Sequence, residues 1–210
     1  QVFMGDVGSL SLGGAIGMLT TLELRDAGHD VVLFERGETG RESSWAGGGI
    51  ISPLFPWRYL DSVTRLASWS QSAYPGFVSA LYRQTGVDPE YLNSGMLVIA
   101  PTETEPATAW AAQHQRQVQI VDRKRFAELE PEAAEPAAQA IWMPDVGQVR
   151  NPRLVRALRI RLEQLDVALR SGEGVDRPPV SAGPVVVLDQ HGRPSGRCTA
   201  GVRPVYGGCT

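Results

Sequence analysis

Three glycines near the beginning of the sequence, Gly13, Gly14 and Gly17, have a spacing that suits the binding of phosphate groups. A pyrophosphate accepts hydrogen bonds from backbone N–H groups of a tight turn at the positive end of a helix, and glycine lets it approach because glycine has no Cβ. The pattern G-x-G-x-x-G also requires glycine where this sequence has Leu12. The glycines alone therefore fit either a dinucleotide site or an ordinary tight turn.

An acidic residue, Glu35, favours the dinucleotide site. It follows an apolar run at residues 31–34 that predicts a buried parallel strand, and it stands about 20 residues after the glycines. Between them we predict a turn at residues 12–17 and a helix at residues 18–27 that ends at Gly28. An acid in this position accepts hydrogen bonds from the two ribose hydroxyls of an adenosine. The alternative for Glu35 is a solvated strand-end glutamate, but the order of turn, helix, strand and acid favours dinucleotide binding.

The segment after Glu35 is rich in Gly and Ser and bears on which dinucleotide is bound. Residues 36–50 read R-G-E-T-G-R-E-S-S-W-A-G-G-G-I, and residues 52–59 read S-P-L-F-P-W-R-Y. The run resembles the family that contains glycine oxidase, D-amino acid oxidase and sarcosine oxidase, and within it the bacterial glycine oxidases of thiamine biosynthesis. In a flavoprotein, small residues let the backbone and hydroxyl groups reach the pyrophosphate and the flavin ring. A nicotinamide-dependent dehydrogenase does not need such a segment, and the remaining alternative is a flexible surface loop.

The resemblance continues through residues 93–98 and 147–152 to about residue 167. It implies that the cofactor is FAD. Together with Gly14 and Gly17 of the turn, it implies that the following residues lie along the FAD: Ala15, Ile16, Glu35, Arg36, Ser43, Ser44, Gly48, Gly49, Ile50 and, at the adenine, Val180.

The resemblance also implies an α/β fold class, in which a Rossmann-like FAD-binding β-α-β domain is joined to part of an α+β substrate domain. The predicted division comprises the first part of the FAD-binding domain, the first part of the substrate domain, a helix that returns to the FAD-binding domain, and an atypical tail. These correspond to residues 1–84, 85–150, 151–175 and 176–210.

Hydrophobic spacing predicts the remaining elements. We predict helices at residues 61–85, 105–117, 123–129 and 151 to about 167, and strands at residues 96–100, 119–121 and 140–143. Pro75 should kink or break the first of these helices, while Asn151 as cap and Pro152 at the first position should start the last one. A weak strand is predicted within residues 1–11, and a loop at residues 37–53.

The end of the sequence differs in character from the rest. Beyond about residue 171, Gly, Pro and Arg dominate, with a strand predicted only at residues 185–188. In the family, the arginine that binds the substrate carboxylate comes from the later half of a longer chain. We therefore expect a truncation or a shifted reading frame, and we expect the chain by itself to turn over no amino acid.

Other residues that often form sites are assigned to packing or to solvent. Core or interface packing is expected for the aromatic residues Trp57, Tyr59, Trp69, Tyr74 and Trp142. Metal-ligand spacing is absent from the histidines and cysteines, which are His29, His114, His191, Cys198 and Cys209. Arg150 is expected to be solvated or in an ion pair, and the alternative is that it binds a substrate carboxylate.

The charge and hydropathy of the sequence narrow the range of partners. The formal net charge is −3, so no overall positive field draws the protein to nucleic acid or to an anionic membrane. No run reaches the roughly 18 apolar residues that a membrane-spanning helix needs, and the sequence does not begin with the pattern of an export signal. We expect a soluble, cytoplasmic protein without a nucleic-acid or membrane partner.

Three classes of function remain open from the sequence. The resemblance implies an FAD-dependent oxidase that converts the amine of glycine or another small amino acid to an imine, with dioxygen as the second substrate and hydrogen peroxide as a product. The alternatives are an NAD-dependent dehydrogenase domain and a fold remnant without activity. The resemblance is also compatible with a homo-oligomer in the full-length form.

Overall fold

The computed structural model describes residues 13–41 and 43–173. These residues form two compact units. The large unit is Gly47–Ala157, and the small unit contains residues 13–41, 43–46 and 158–173.

Helices and strands together make up both units, which confirms the α/β fold class. Helices α1 to α6 are Gly13–Asp26, Ser43–Ala46, Asp61–Thr85, Thr104–His114, Arg123–Leu129 and Asn151–Gln164. Strands β1 to β5 are Val32–Glu35, Met96–Val98, Gln119–Asp122, Gln139–Met143 and Ala168–Ser171. Two short 3-10 helices are Pro56–Arg58 and Pro101–Glu103. Among the described helices, none combines the length and the apolar character that crossing a membrane requires.

The small unit contains a parallel pair of strands, β1 and β5. Val32 lies opposite Ala168, and Glu35 lies opposite Ser171, so both strands end at the same edge. Strand β1 was predicted from its apolar run, and the structure confirms the strand and its parallel pairing. The predicted burial is wrong, because Val32 is exposed and the other three residues are only partly buried. Strand β5 was not predicted, because Ala-Leu-Arg-Ser is short and has no apolar alternation.

Helix α1 packs against β1 and begins at Gly13. The predicted turn is therefore wrong for residues 13–17, which form the first part of the helix. The first N–H groups of any helix have no acceptor within that helix. The small residues can therefore form the first turn of α1 without losing intrahelical hydrogen bonds. A Cβ at Gly17 would lie 3.5 Å from Cδ1 of Leu33, which is ordinary van der Waals contact between α1 and β1.

The large unit contains an antiparallel sheet in the order β2-β4-β3. Helix α4 packs against the central strand β4. Their contact is lined by the buried residues Val98, Ala107, Trp110, Ile141 and Met143. The structure confirms the three strands and α4, whose ends differ from the predicted ones by a few residues, and α5 has the predicted bounds.

Helix α3 has the predicted bounds, residues 61–85. Pro75 was predicted to kink or break this helix, and the break is wrong because the helix is continuous through Pro75. Thr64 on one side of Pro75 and Val78 on the other are both buried, and this packing holds the two parts in one helix. The helix ends at Gly86, which adopts a left-handed φ of 70°.

Two further predictions differ from the structure. The predicted loop at residues 37–53 contains a single helical turn, α2. Helix α6 ends at Gln164, before the predicted end near residue 167, and it is followed by the unpredicted strand β5, Ala168–Ser171. The strands predicted within residues 1–11 and at residues 185–188 lie outside the described residues.

Candidate cofactor-binding site

The beginning of helix α1 is held against helix α2 by a hydrogen bond. The backbone N–H of Ala15 donates to Oγ of Ser44 at 3.1 Å, and Ser44 is only 3% exposed. A serine hydroxyl that accepts one hydrogen bond still has its own hydrogen to donate. The hydroxyl of Ser44, which accepts from the helix end, can therefore donate a hydrogen bond to an acceptor such as a phosphate oxygen.

The charge at the beginning of α1 suits an anion. The N-terminal end of a helix carries a partial positive charge, and the first turn of α1 has no acidic residue that would neutralise it. Gly14 lies in this turn, Ile16 is partly buried, and Gly17 follows at the start of the next turn. The sequence-predicted residues at positions 14–17 are thus together at one helix end.

Glu35 is fixed at the end of β1 by a bond to the following turn. Its Oε1 accepts from the backbone N–H of Gly37 at 2.9 Å. A carboxylate has room for about four hydrogen bonds, so this one leaves capacity for the hydroxyls of a ribose. Glu35 is partly buried, whereas the neighbouring Arg36 is exposed.

The turn after β1 is tied to the end of β5 by contacts that the sequence did not predict. The N–H of Gly172 donates to the carbonyl of Gly37 at 3.0 Å. The hydroxyls of Thr39 and Ser171 are hydrogen-bonded, and Thr39 is only 2% exposed. These contacts fix the turn that follows Glu35, but no local sequence pattern marks a hydroxyl pair 132 residues apart.

The large unit contains three of the predicted residues, Gly48, Gly49 and Ile50. Together with Gly47 they form residues 47–50, which we call the glycine segment. Gly49 has a φ of +74°, and a Cβ there would lie 1.9 Å from the carbonyl oxygen of Val149. The N–H of Val149 donates to the carbonyl of Gly49 at 2.9 Å. Ile50 forms an isolated antiparallel bridge with Gln148. Only glycine satisfies both the φ value and this close approach at position 49.

The glycine segment offers backbone rather than side chains to a ligand. A Cβ at Gly48 would have no heavy atom of the described residues within 4 Å, so open space adjoins this position. A flat ring could approach the backbone there, and Ile50, which is 41% exposed, adds an apolar side chain.

Each unit, taken by itself, has groups that could hold part of an FAD. In the small unit, the end of α1 with Ser44 offers hydrogen-bond donors of the kind that suit a pyrophosphate, and Glu35 offers an acceptor of the kind that suits ribose hydroxyls. In the large unit, the glycine segment adjoins open space of the kind that a ring system could fill. Ser43 is the first residue of α2, and Val180 lies outside the described residues.

Comparison with known proteins identifies the family. Residues 13–203 match the family described as FAD dependent oxidoreductase. The chain belongs to this family. The resemblance drawn from the sequence is thereby confirmed, and FAD is the cofactor of the family. The match extends into the segment that the sequence analysis separated as an atypical tail.

Relatives within the FAD-dependent oxidoreductases include glycine oxidases. The glycine oxidase of Pseudomonas putida is 46% identical over 159 residues, which are 75% of this chain and 44% of that protein. The glycine oxidase of Geobacillus kaustophilus is 31% identical over 153 residues, 70% of this chain and 40% of that protein. The chain thus spans less than half the length of these relatives.

Solved structures show the same fold. Glycine oxidase from Bacillus cereus superposes with a TM-score of 0.72 and 23% identity, over 81% of this chain and 47% of that chain. L-alpha-glycerophosphate oxidase from Mycoplasma pneumoniae, solved with FAD bound, gives a TM-score of 0.65 and 16% identity, over 80% of this chain and 45% of that chain.

Several aromatic residues pack as expected from the sequence. The ring of Trp57 meets that of Trp110 edge to face, with centroids 6.5 Å apart. Tyr74 stacks on Tyr91 at 6.4 Å, and burial raises the pKa of Tyr74 to about 12. Trp69 is 69% exposed on helix α3, so the structure contradicts core packing for this residue.

Several charged residues of the large unit form ion pairs near the surface. Arg150 pairs with Glu90 at 3.2 Å, in agreement with one of the two interpretations drawn from the sequence. Glu103 accepts from the guanidinium of Arg58 and, at 2.5 Å, from Nε1 of Trp57. Arg58, followed by Trp57, holds the pKa of the Glu103 carboxyl below its ordinary value. This cluster links the two 3-10 helices.

Proposed function

We propose that this chain provides FAD-binding residues of an oxidase that acts on the amine of glycine or another small amino acid. The hydrogen bond from Ala15 to Ser44 at the beginning of α1 carries the cofactor part of the proposal, because it prepares a hydroxyl donor at a positive helix end. The 46% identity to a protein named glycine oxidase supports the substrate part.

Each predicted residue has a role in this proposal. Gly14, Ala15, Ile16 and Gly17 form the helix end that receives the pyrophosphate, and Ser43 and Ser44 bring α2 to it. Glu35 binds the ribose hydroxyls, with Arg36 beside it. Gly48, Gly49 and Ile50 lie along the flavin, and Val180 meets the adenine.

The chemistry of the proposed reaction is an oxidation of a carbon–nitrogen single bond. Bound FAD would supply an acceptor for the hydride of the α-carbon, and loss of a proton from the substrate nitrogen would leave an imine. The two electrons and two protons removed from the substrate would then convert dioxygen to hydrogen peroxide. The share of this chain is to hold the cofactor: Ser44 donates to an acidic oxygen, and Glu35 accepts from hydroxyl groups. Open space at Gly48 lets a ring approach the backbone.

The proposal also covers the substrates, the location and the assembly of the complete oxidase. The substrates are a small amino acid or amine and dioxygen, the location is the cytoplasm, and the complete oxidase is compatible with a homo-oligomer. We also propose that the chain divides after residues 84, 150 and 175 into parts of a cofactor domain and of a substrate domain.

Two measurements test the two parts of the proposed function. Titration of the chain with FAD, followed by quenching of the flavin fluorescence, should show saturable binding that excess NAD does not reverse. An oxidase of the relatives' length that carries these residues should release peroxide when glycine is added. NAD binding without FAD binding would reject the cofactor part, and an FAD-loaded oxidase that ignores glycine, sarcosine and D-alanine would reject the substrate part.

A further inference from the structure

We infer that Asn151 is a positioning residue for the glycine segment. Its side-chain Nδ2 donates to the carbonyl oxygen of Gly47 at 3.0 Å. The inference rests on the proposed function, in which the glycine segment lies along the flavin.

The glycine segment needs an external constraint because of its composition. Residues 47–49 are three consecutive glycines, which have more backbone freedom than any other residue type. Backbone hydrogen bonds hold the segment at its far end, from Val149 to Gly49 and from Ile51 to Gly147, both at 2.9 Å. The bond from Asn151 acts at the near end, on Gly47. It is a side-chain bond, and a substitution can therefore remove it without altering the backbone.

Asn151 is well placed to serve as a rigid anchor. It is only 8% exposed and is the first residue of α6. Leu154 and Val155, on the next turn, are each only 3% exposed. A buried amide on a packed helix has little rotational freedom, so its donor atom sets the position of the Gly47 carbonyl.

The donor character of the side chain is the decisive property. Aspartate has nearly the same shape as asparagine, but at neutral pH its oxygens only accept hydrogen bonds. In Asn151→Asp a carboxylate oxygen would therefore face the Gly47 carbonyl oxygen without a hydrogen between them. The segment would move away from its present position.

A matched control is available on the same unit. The Nδ2 of Asn93 also donates to a backbone carbonyl, that of Pro144, at 3.4 Å, but Asn93 is exposed and its bond is long. Asn93→Asp makes the same chemical change outside the glycine segment. The FAD affinity and hydrogen exchange of Asn93→Asp therefore show the effect of an asparagine-to-aspartate substitution outside the proposed cofactor-binding segments.

The experiment measures FAD affinity and amide hydrogen exchange of the full chain. We expect Asn151→Asp to weaken FAD binding at least about tenfold and to speed exchange at Ile51 and Val149 by a similar factor, while Asn93→Asp stays within about twofold. Asn151→Ala removes the donor without adding charge. It replaces the aspartate variant if circular dichroism shows that the latter is unfolded.

The outcomes separate the inference from the proposed function. If the wild-type chain binds FAD and the Asn151 variants bind it equally well, the inference is overturned, even if exchange becomes faster, because Asn151 would then be a purely structural residue. If the wild-type chain binds no FAD, the proposed function is overturned and the inference with it. Weaker FAD binding together with faster exchange, confined to the Asn151 variants, supports the inference.

Discussion

The two segments proposed to hold the cofactor would do so by opposite means. In the small unit, recognition depends on polar side chains that are already held by the protein: Ser44 by the N–H of Ala15, and Glu35 by the N–H of Gly37. In the glycine segment the proposed recognition depends on the absence of side chains at two glycines, since Gly49 has space for no Cβ and Gly48 faces open space. Substitutions should therefore act through lost hydrogen bonds in one segment and through steric conflict in the other.

The largest effect is expected from Gly49→Ala. Its Cβ would lie 1.9 Å from the carbonyl oxygen of Val149, at a φ of +74° that alanine rarely adopts. We expect a loss of about 3 kcal/mol in the free energy of unfolding, measured by urea titration. The matched control is Gly48→Ala, where the new Cβ meets no described heavy atom within 4 Å and the change should stay within about 0.5 kcal/mol. Equal unfolding midpoints for Gly49→Ala and Gly48→Ala would show that steric conflict at Gly49 does not determine the effect of substitutions in the glycine segment.

The next effect is expected on FAD affinity from Glu35→Ala. The variant loses the acceptor for the ribose hydroxyls, and charge-assisted hydrogen bonds of this kind contribute about 1.5–3 kcal/mol. The dissociation constant of FAD should rise at least about tenfold. Glu38→Ala serves as the control, because Glu38 lies on the same turn but is exposed and pairs with Arg41. Unchanged FAD affinity in Glu35→Ala would make Glu35 an ordinary surface acid.

A smaller effect is expected from Ser44→Ala. The N–H of Ala15 would lose its acceptor, and we expect a loss of about 1 kcal/mol in the free energy of unfolding. FAD affinity should fall about fivefold, because the hydroxyl donor is lost as well. Ser72→Ala removes an exposed hydroxyl that bonds only within its own helix, so it should change neither quantity. If Ser44→Ala and Ser72→Ala have the same free energy of unfolding and the same FAD affinity, the hydrogen bond from Ala15 to Ser44 contributes to neither quantity.

The smallest effect is expected outside both segments, in the pH dependence of stability. The folded-state pKa of Glu103 lies below the ordinary value of 4.5, so its carboxylate stabilises the fold at pH values above 4.5. This contribution is lost as the pH falls below 4.5 and through the folded-state pKa. Glu103→Gln should therefore flatten the acid side of the stability profile, as measured by urea midpoints between about pH 6 and pH 3. The exposed Glu105→Gln is the control, and a profile for Glu103→Gln that overlays the wild type would contradict the prediction.

The sequence predicts well those elements whose signals are local. Helix α3, with its apolar spacing and Gly86 at its end, has the predicted bounds, and so has α5. Strand β1 was recognisable because a β-branched apolar run ends at Glu35. In each of these cases the pattern and the caps lie within one turn or one strand of the element itself.

The sequence does not predict features that depend on distant partners. Strand β5 forms because β1 is available to pair with it, although more than 130 residues separate the paired positions. The conflict of a side chain at Gly49 with Val149 and the hydroxyl pair of Thr39 and Ser171 arise in the same way. Asn151 was predicted as a helix start, and its bond to Gly47 adds a tertiary role that no local pattern encodes.

The most direct test of the account compares FAD with ADP, which lacks the flavin. Both ligands should bind the wild-type chain, since the small-unit residues are proposed to hold the adenosine and the pyrophosphate. Glu35→Ala should weaken the binding of both ligands. Gly48→Val should weaken FAD binding at least about tenfold and leave ADP binding within about twofold, because only the flavin is proposed to meet the glycine segment. Equal losses of FAD and ADP affinity in Gly48→Val, or no loss of either, would contradict the proposal that the small-unit residues hold the adenosine and pyrophosphate while the glycine segment holds the flavin.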